Sequence, residues 1–141
     1  MRIFVLAVAL LLAGCSERSP QLLTHDPPHA VQATTLAPPL AANENVRARD
    51  VRSGDSSSLS LVQIRDREQP HIHTRYDLTV MLVRGSGTLW LNGTALPMHE
   101  SDVAFIPKGT PHYFVNSGSE PAAALVVFAP PFGGPDQQAL P

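Results

Sequence analysis

An all-β domain, folded as an antiparallel sandwich or barrel of short strands, is the architecture this sequence predicts, and three observations predict it. From about position 46 to 130, β-branched and aromatic runs recur every ~8 to 12 residues between Gly, Pro and Asn. Within that region Asn92-Gly93 follows one apolar run and precedes another, a strong short-range hairpin signal because both positions accept positive φ. The third observation is negative: 14 prolines in 141 residues break up any long helix, since proline lacks the amide a helix interior needs.

The elements follow in order. Positions 59 to 64 read Leu-Ser-Leu-Val-Gln-Ile, an imperfect alternation with Leu59 and Leu61 on one face. Positions 78 to 83 are almost wholly apolar, as a strand covered on both faces would be. Gly87 to Leu91 leads into the Asn92-Gly93 turn. Asp102 to Ile106 ends at Pro107-Lys108-Gly109, and Ala122 to Phe128 is a further apolar run. Because that last run is apolar at successive positions, both of its faces need cover, and a homodimer is the expected way to cover the outer one. Residues 131–141, rich in Pro and Gly, read as a loose C-terminal tail, with room for its first few residues to pack back on the barrel.

Composition narrows the function. With 43% hydrophobic and 16% charged residues the chain suits one globular domain. A net charge of -2, with nine arginines, one lysine and no basic run, predicts no nucleic-acid partner. No nucleophile motif and no phosphate-binding Gly-rich loop occurs.

The first fourteen residues read as a signal peptide: Met1-Arg2, an apolar run from Ile3 to Leu12, then Leu12-Ala13-Gly14-Cys15. That run falls short of the ~20 residues that span a bilayer core as a helix. The segment resembles the lipobox of bacterial lipoproteins, which implies lipidation of Cys15. With Ser16 following, it also implies a lipid-anchored protein of the cell envelope, facing the periplasm and held at the outer membrane. Cys15 is the only cysteine, so no disulfide or thiolate ligand remains. Residues 15–45, with Pro20, Pro27-Pro28 and Pro38-Pro39, show no period of 2 or 3.6 and read as a flexible tether with a reach of ~30 Å.

The chemistry concentrates in two segments. His71-Ile72-His73 places two imidazoles at i and i+2, on one face of a strand and ~6.5 Å apart along it. Downstream, Pro107-Lys108-Gly109-Thr110-Pro111-His112-Tyr113-Phe114-Val115-Asn116 sets a third histidine just after a Pro-x-Gly turn. His99 reads as a surface turn residue. Trp90, Tyr113 and Phe114 are candidates for lining a pocket, though aromatic residues in strands are more often core.

Together the two segments resemble the paired motifs of the cupin superfamily. His71, His73 and Gly85 match the first, and Pro107, Gly109, His112 and Asn116 match the second. The resemblance covers residues 46–130 and implies a cupin-type antiparallel β-barrel, the double-stranded β-helix or jelly roll. It also implies one divalent transition ion (Fe, Mn, Zn, Cu or Ni) on His71, His73 and His112. The glutamate of the first motif is absent. Its place falls on Asp77 or Leu78, depending on spacing, and only Leu78 keeps the interval to Gly85. Asp77 is the candidate fourth ligand, provided the chain from His73 stays extended so that parity holds. By function, the resemblance implies a metal-dependent enzyme on a small molecule, of oxygenase, isomerase or lyase type. The alternatives are a non-catalytic module that captures a metal or small ligand in the envelope, and a scaffold without chemistry.

Overall fold

A computed structural model describes residues 20–25 and 28–141. Cys15 and the segment read as a signal peptide lie outside them. Among the described residues there are twelve strands, one 3-10 turn and no α-helix. A short hairpin, β1 (Gln21–His25) with β2 (Pro28–Gln32), comes first. It is followed by β3 (Val46–Ser53), β4 (Ser58–Ile64), β5 (His71–His73), β6 (Asp77–Arg84) and β7 (Gly87–Leu91). The chain continues with β8 (Thr94–Met98), β9 (Val103–Ile106), β10 (His112–Asn116), β11 (Ala122–Ala129) and β12 (Gln137–Ala139).

The ten strands after the hairpin form two five-stranded sheets, ordered β12-β5-β10-β7-β8 and β3-β4-β11-β6-β9, with every pair antiparallel. From β5 onward the chain crosses repeatedly between the sheets. The double-stranded β-helix expected from the sequence is the fold observed. Asn92 (φ 48°) and Gly93 (φ 79°) join β7 to β8 as the two-residue turn their sequence demands.

Alternation sets two cores. Leu78, Leu82, Ala122, Ala124, Val126 and Phe128 face inward against Leu89, Ile106 and Phe114 between the sheets. On the opposite parity Leu61, Val83, Ala123 and Leu125 form a second cluster, closed from outside by Ala33 and Ala37. This cover departs from the flexible tether expected up to residue 45. Residues 33–36 form the 3-10 turn, with Ala33 fully buried. The carbonyls of Pro38, Ala41 and Glu44 accept hydrogen bonds from the side chains of Gln63 (3.0 Å) and Arg65 (2.8 and 3.0 Å). Proline-rich chain lacks periodicity yet retains free carbonyls, and a buried donor on β4 and a half-buried one just past its end take them. The segment thereby supplies part of the cover that the sequence reading assigned to a second copy.

Candidate metal centre

β5 lies between β12 and β10, and its three residues carry two of the three histidines. His112 opens β10 directly opposite His71 in the register. The Pro107–Thr110 turn sets this register. Gly109 adopts φ 77°, the conformation a type II turn requires of its third residue, and Thr110 N donates to Pro107 O at 3.1 Å. Gly109 N donates to His73 O at 2.6 Å, tying the turn to β5. Asn116, the last residue of the second motif, holds the loop after β10: its amide donates to Arg65 O and Glu120 O, both at 2.8 Å.

The result is a tight cluster of imidazoles. Ring centroids are 4.3 Å apart for His71 and His112, 5.2 Å for His71 and His73, and 5.5 Å for His73 and His112. One ring nitrogen from each lies within 4.8 Å of the others. His71 and His112 are buried, and the His73 side chain is 12% exposed.

Each Nδ1 has its own acceptor: Gln69 O at 2.7 Å for His71, Asp136 Oδ1 at 2.8 Å for His73 and Thr110 O at 2.9 Å for His112. An acceptor facing Nδ1 places the ring proton there, so Nε2 of each neutral ring keeps its lone pair. These are the donor set and second-layer bonds that a divalent ion requires, and the residues fit one.

Electrostatics favour the same state. Burial, reinforced by the neighbouring rings of His71 and His73, pushes His112 down to about 4 against the pull of Thr110 O, so the ring is uncharged at neutral pH. Burial pushes the Asp136 carboxyl up, but the bonds from His73 and Arg75 N, with their charges, outweigh it and hold it below its ordinary range. Burial raises Glu68, which lies near His71, against the opposing effects of His71 and of Phe114 N at 2.9 Å.

The depressed His112 has a consequence for stability. Above pH 6.5 neither folded nor unfolded chain protonates this ring. Between 6.5 and about 4 the unfolded chain takes up a proton that the folded chain refuses, so stability falls as pH falls. In the metal-free protein the expected loss is about 3 kcal/mol over that window. Urea melts of wild type and His112→Asn at pH 7, 6, 5 and 4.5 measure it, and equal slopes in both proteins would reject His112 as the source.

Asp77 is not brought to the histidines. β5 ends at His73, Thr74 and Arg75 form a bend, and β6 begins at Asp77 in the other sheet, so the extended chain that parity required is broken. The Asp77 carboxylate accepts Lys108 N at 2.9 Å, bracing the turn ahead of His112. Leu78, the alternative position, faces inward and lines the cavity beside the imidazoles.

Two acidic residues near the cluster escaped the sequence reading. Glu68 lies within the irregular stretch that leads into β5, and Asp136 lies in the expected tail. That tail pairs as β12 with all of β5, Gln137 opposite His73 and Ala139 opposite His71. Arg75 and Tyr76 secure it: Arg75 Nη2 donates to Gly134 O (2.9 Å), and Tyr76 Oη donates to the same carbonyl (3.2 Å) while accepting Gly133 N (2.9 Å). No local signal in Gly133-Gly134-Pro135-Asp136 marks a strand or a site. His99 is an exposed turn residue, as expected. Trp90 and Tyr113 stack as a cross-strand pair (centroids 5.8 Å apart, rings 4° from parallel) and do not line the cavity, whereas Phe114 does.

Behind the imidazoles lies a cavity of about 320 Å³, walled largely by the inward side chains of both sheets. Asp136, Glu68 and Gln137 line it together with the three histidines.

Residues 59–128 match the family model of the cupin domain. An uncharacterized protein of Aquifex aeolicus (strain VF5) is 37% identical over 93 residues, which span 66% of this chain and 76% of that one. A double-stranded β-helix protein of Klebsiella pneumoniae superposes with TM-score 0.62 at 21% identity, covering 73% of this chain and 90% of that one. Streptomyces Pac13 with uridine gives TM-score 0.59 at 22% identity over 69% and 79% of the two chains. Pac13 is described as a nucleoside dehydratase.

Proposed function

Since this chain belongs to the cupin superfamily, we propose that it is a metal-dependent enzyme acting on a small molecule. Its metal would be one divalent transition ion held on Nε2 of His71, His73 and His112. The observation that carries this reading is the set of three Nδ1-anchored imidazoles at the wall of a 320 Å³ cavity, with Asp77 turned away to Lys108. Three protein ligands leave coordination positions for a substrate or small co-substrate, the condition metal catalysis requires and a sequestering site lacks. The donor set suits Fe, Mn, Zn, Cu or Ni alike. Bound there, the ion supplies an electrophilic centre, which serves oxygenase, isomerase or lyase chemistry.

The chain's own residues do the rest. Gln69 O, Thr110 O and Asp136 hold the ring protons on the far side of each imidazole, and the apolar wall keeps bulk water from the inner face. Cys15, through its lipobox-like setting, would tether the domain to the envelope, facing the periplasm. The second reading, a non-catalytic envelope module, needs a closed coordination shell. Loading metal-free protein with Co(II) and titrating azide while recording the visible spectrum separates them. A spectral shift is the expected result. An unchanged spectrum with full Co(II) occupancy would overturn the catalytic reading in favour of capture.

A further inference from the structure

The cavity walls limit what the site can accept. Among the described residues, none of the seven arginines nor Lys108 lines the cavity, whereas three carboxylates, Asp50, Glu68 and Asp136, do. The basic residues near this end of the barrel are used elsewhere: Arg65 on the carbonyls of Ala41 and Glu44, Arg75 on Gly134 O, and Arg47 on Glu44. A phosphorylated or multiply anionic molecule would therefore leave water to face carboxylates with no basic side chain to meet it, a costly transfer.

A polyhydroxylated molecule fares little better. Most of the wall is aliphatic or aromatic, including Leu78, Met98, Ile106, Phe114, Phe128 and Phe132. Two of the polar wall residues already bond one another, Ser60 Oγ to Asp50 Oδ1 at 3.0 Å. Each sugar hydroxyl left without a partner costs ~1–3 kcal/mol. Apolar ring faces, by contrast, find matching surface: Phe128 and Phe132 meet at 5.2 Å and Phe128 stands edge-on to His73 at 5.8 Å. The 320 Å³ volume exceeds the ~150 Å³ that accommodates benzene and sits at the small end of ligand pockets, room for one substituted ring.

We infer that the substrate is a neutral, largely apolar molecule of about one ring, which presents a single hydroxyl or carbonyl oxygen to the ion and buries its remainder among these side chains. The orientation of that oxygen rests on the metal reading above. The apolar character of the ligand does not.

The full chain, metal-free and Co(II)-loaded, is titrated with toluene, 4-methylphenol, uridine, galacturonate and glucose 6-phosphate. Melting temperature and visible spectrum are both recorded. Toluene and 4-methylphenol should each raise the melting temperature of both forms, by about 5 °C at a tenfold excess over Kd. Only 4-methylphenol on the Co(II) form should move the spectrum, and the three polar probes should do neither. Val80 lines the cavity, so Val80→Phe puts a larger side chain into it and should remove both melting shifts while leaving Co(II) binding intact. Should that variant fail to fold, Val62→Leu, a smaller enlargement of another lining side chain, should weaken them in the same direction. Binding of uridine, galacturonate or glucose 6-phosphate in preference to 4-methylphenol would overturn the inferred class and leave the metal reading standing. Failure of Co(II) to bind would remove the metal reading, and the toluene shift would still decide the ligand class.

Discussion

Replacing His71 or His112 by alanine should abolish stoichiometric binding of a divalent transition ion, with affinity falling by more than ~100-fold, beyond what loss of a supporting residue causes. Each histidine contributes one of three nitrogens that lie within 4.8 Å of one another, and two imidazoles make a poor chelate. Both rings are buried, so truncation also opens space, and the comparison must be made on variants whose thermal melts show a folded chain. Asp77→Ala is the internal contrast. Its carboxylate braces the turn before His112 through Lys108 N without joining the cluster, so binding should weaken less than tenfold. Isothermal titration with Zn(II) or Co(II) measures all three. Equal losses for Asp77→Ala and the histidine variants would show Asp77 to be a ligand after all. Unchanged metal content in every variant would reduce the histidines to lining a cavity.

The second large effect lies in the C-terminal segment. Asp136→Ala should weaken metal binding by ~10–100-fold, the range found when a carboxylate behind a ligating histidine is removed. Asp136 Oδ1 accepts the Nδ1 proton of His73, and Oδ2 accepts Arg75 N, so one side chain orients the ligand and locks the bend that follows it. Asp136→Asn retains an acceptor without the charge and should lose about tenfold or less. Deleting residues 131–141 removes both Asp136 and the strand paired to β5, so its loss should equal or exceed that of Asp136→Ala. A merely structural role would lower the melting temperature of Asp136→Ala with metal affinity unchanged, and that outcome would dismiss the positioning role.

How much of this was legible beforehand depends on how far each feature reaches along the chain. Strand alternation, the Asn92-Gly93 turn and the Pro107-Lys108-Gly109 turn are local, because backbone conformation follows from a few neighbouring side chains. From these the all-β class, the strand centres and the shared face of His71 and His73 could be read directly, while the convergence of His112 on them came from the resemblance to the cupin motifs. Parity carried the first two histidines to one face, and the Pro-x-Gly turn set the third near the start of the next strand, which the fold pairs with β5. Parity failed at Asp77 because the chain bends and changes sheet between residues 73 and 77, and a sheet change resets which face a residue occupies.

The remaining decisions span long separations. Asp136 reaches His73 across 63 residues, and Pro38 reaches Gln63 across 25. In both cases a Pro-rich segment without hydrophobic period was expected to be loose. What orders it is the unmet hydrogen bonding of a finished sheet: β5 offers a free edge to Gln137–Ala139, while Gln63 and Arg65 offer donors to residues 38–44. Sequence alone therefore determined the all-β class and, through the resemblance to cupins, the barrel and its three histidines. The carboxylate behind His73, the exclusion of Asp77 and the largely apolar walls of the cavity were decided by tertiary structure, because each depends on which edges and faces the completed sheets leave open.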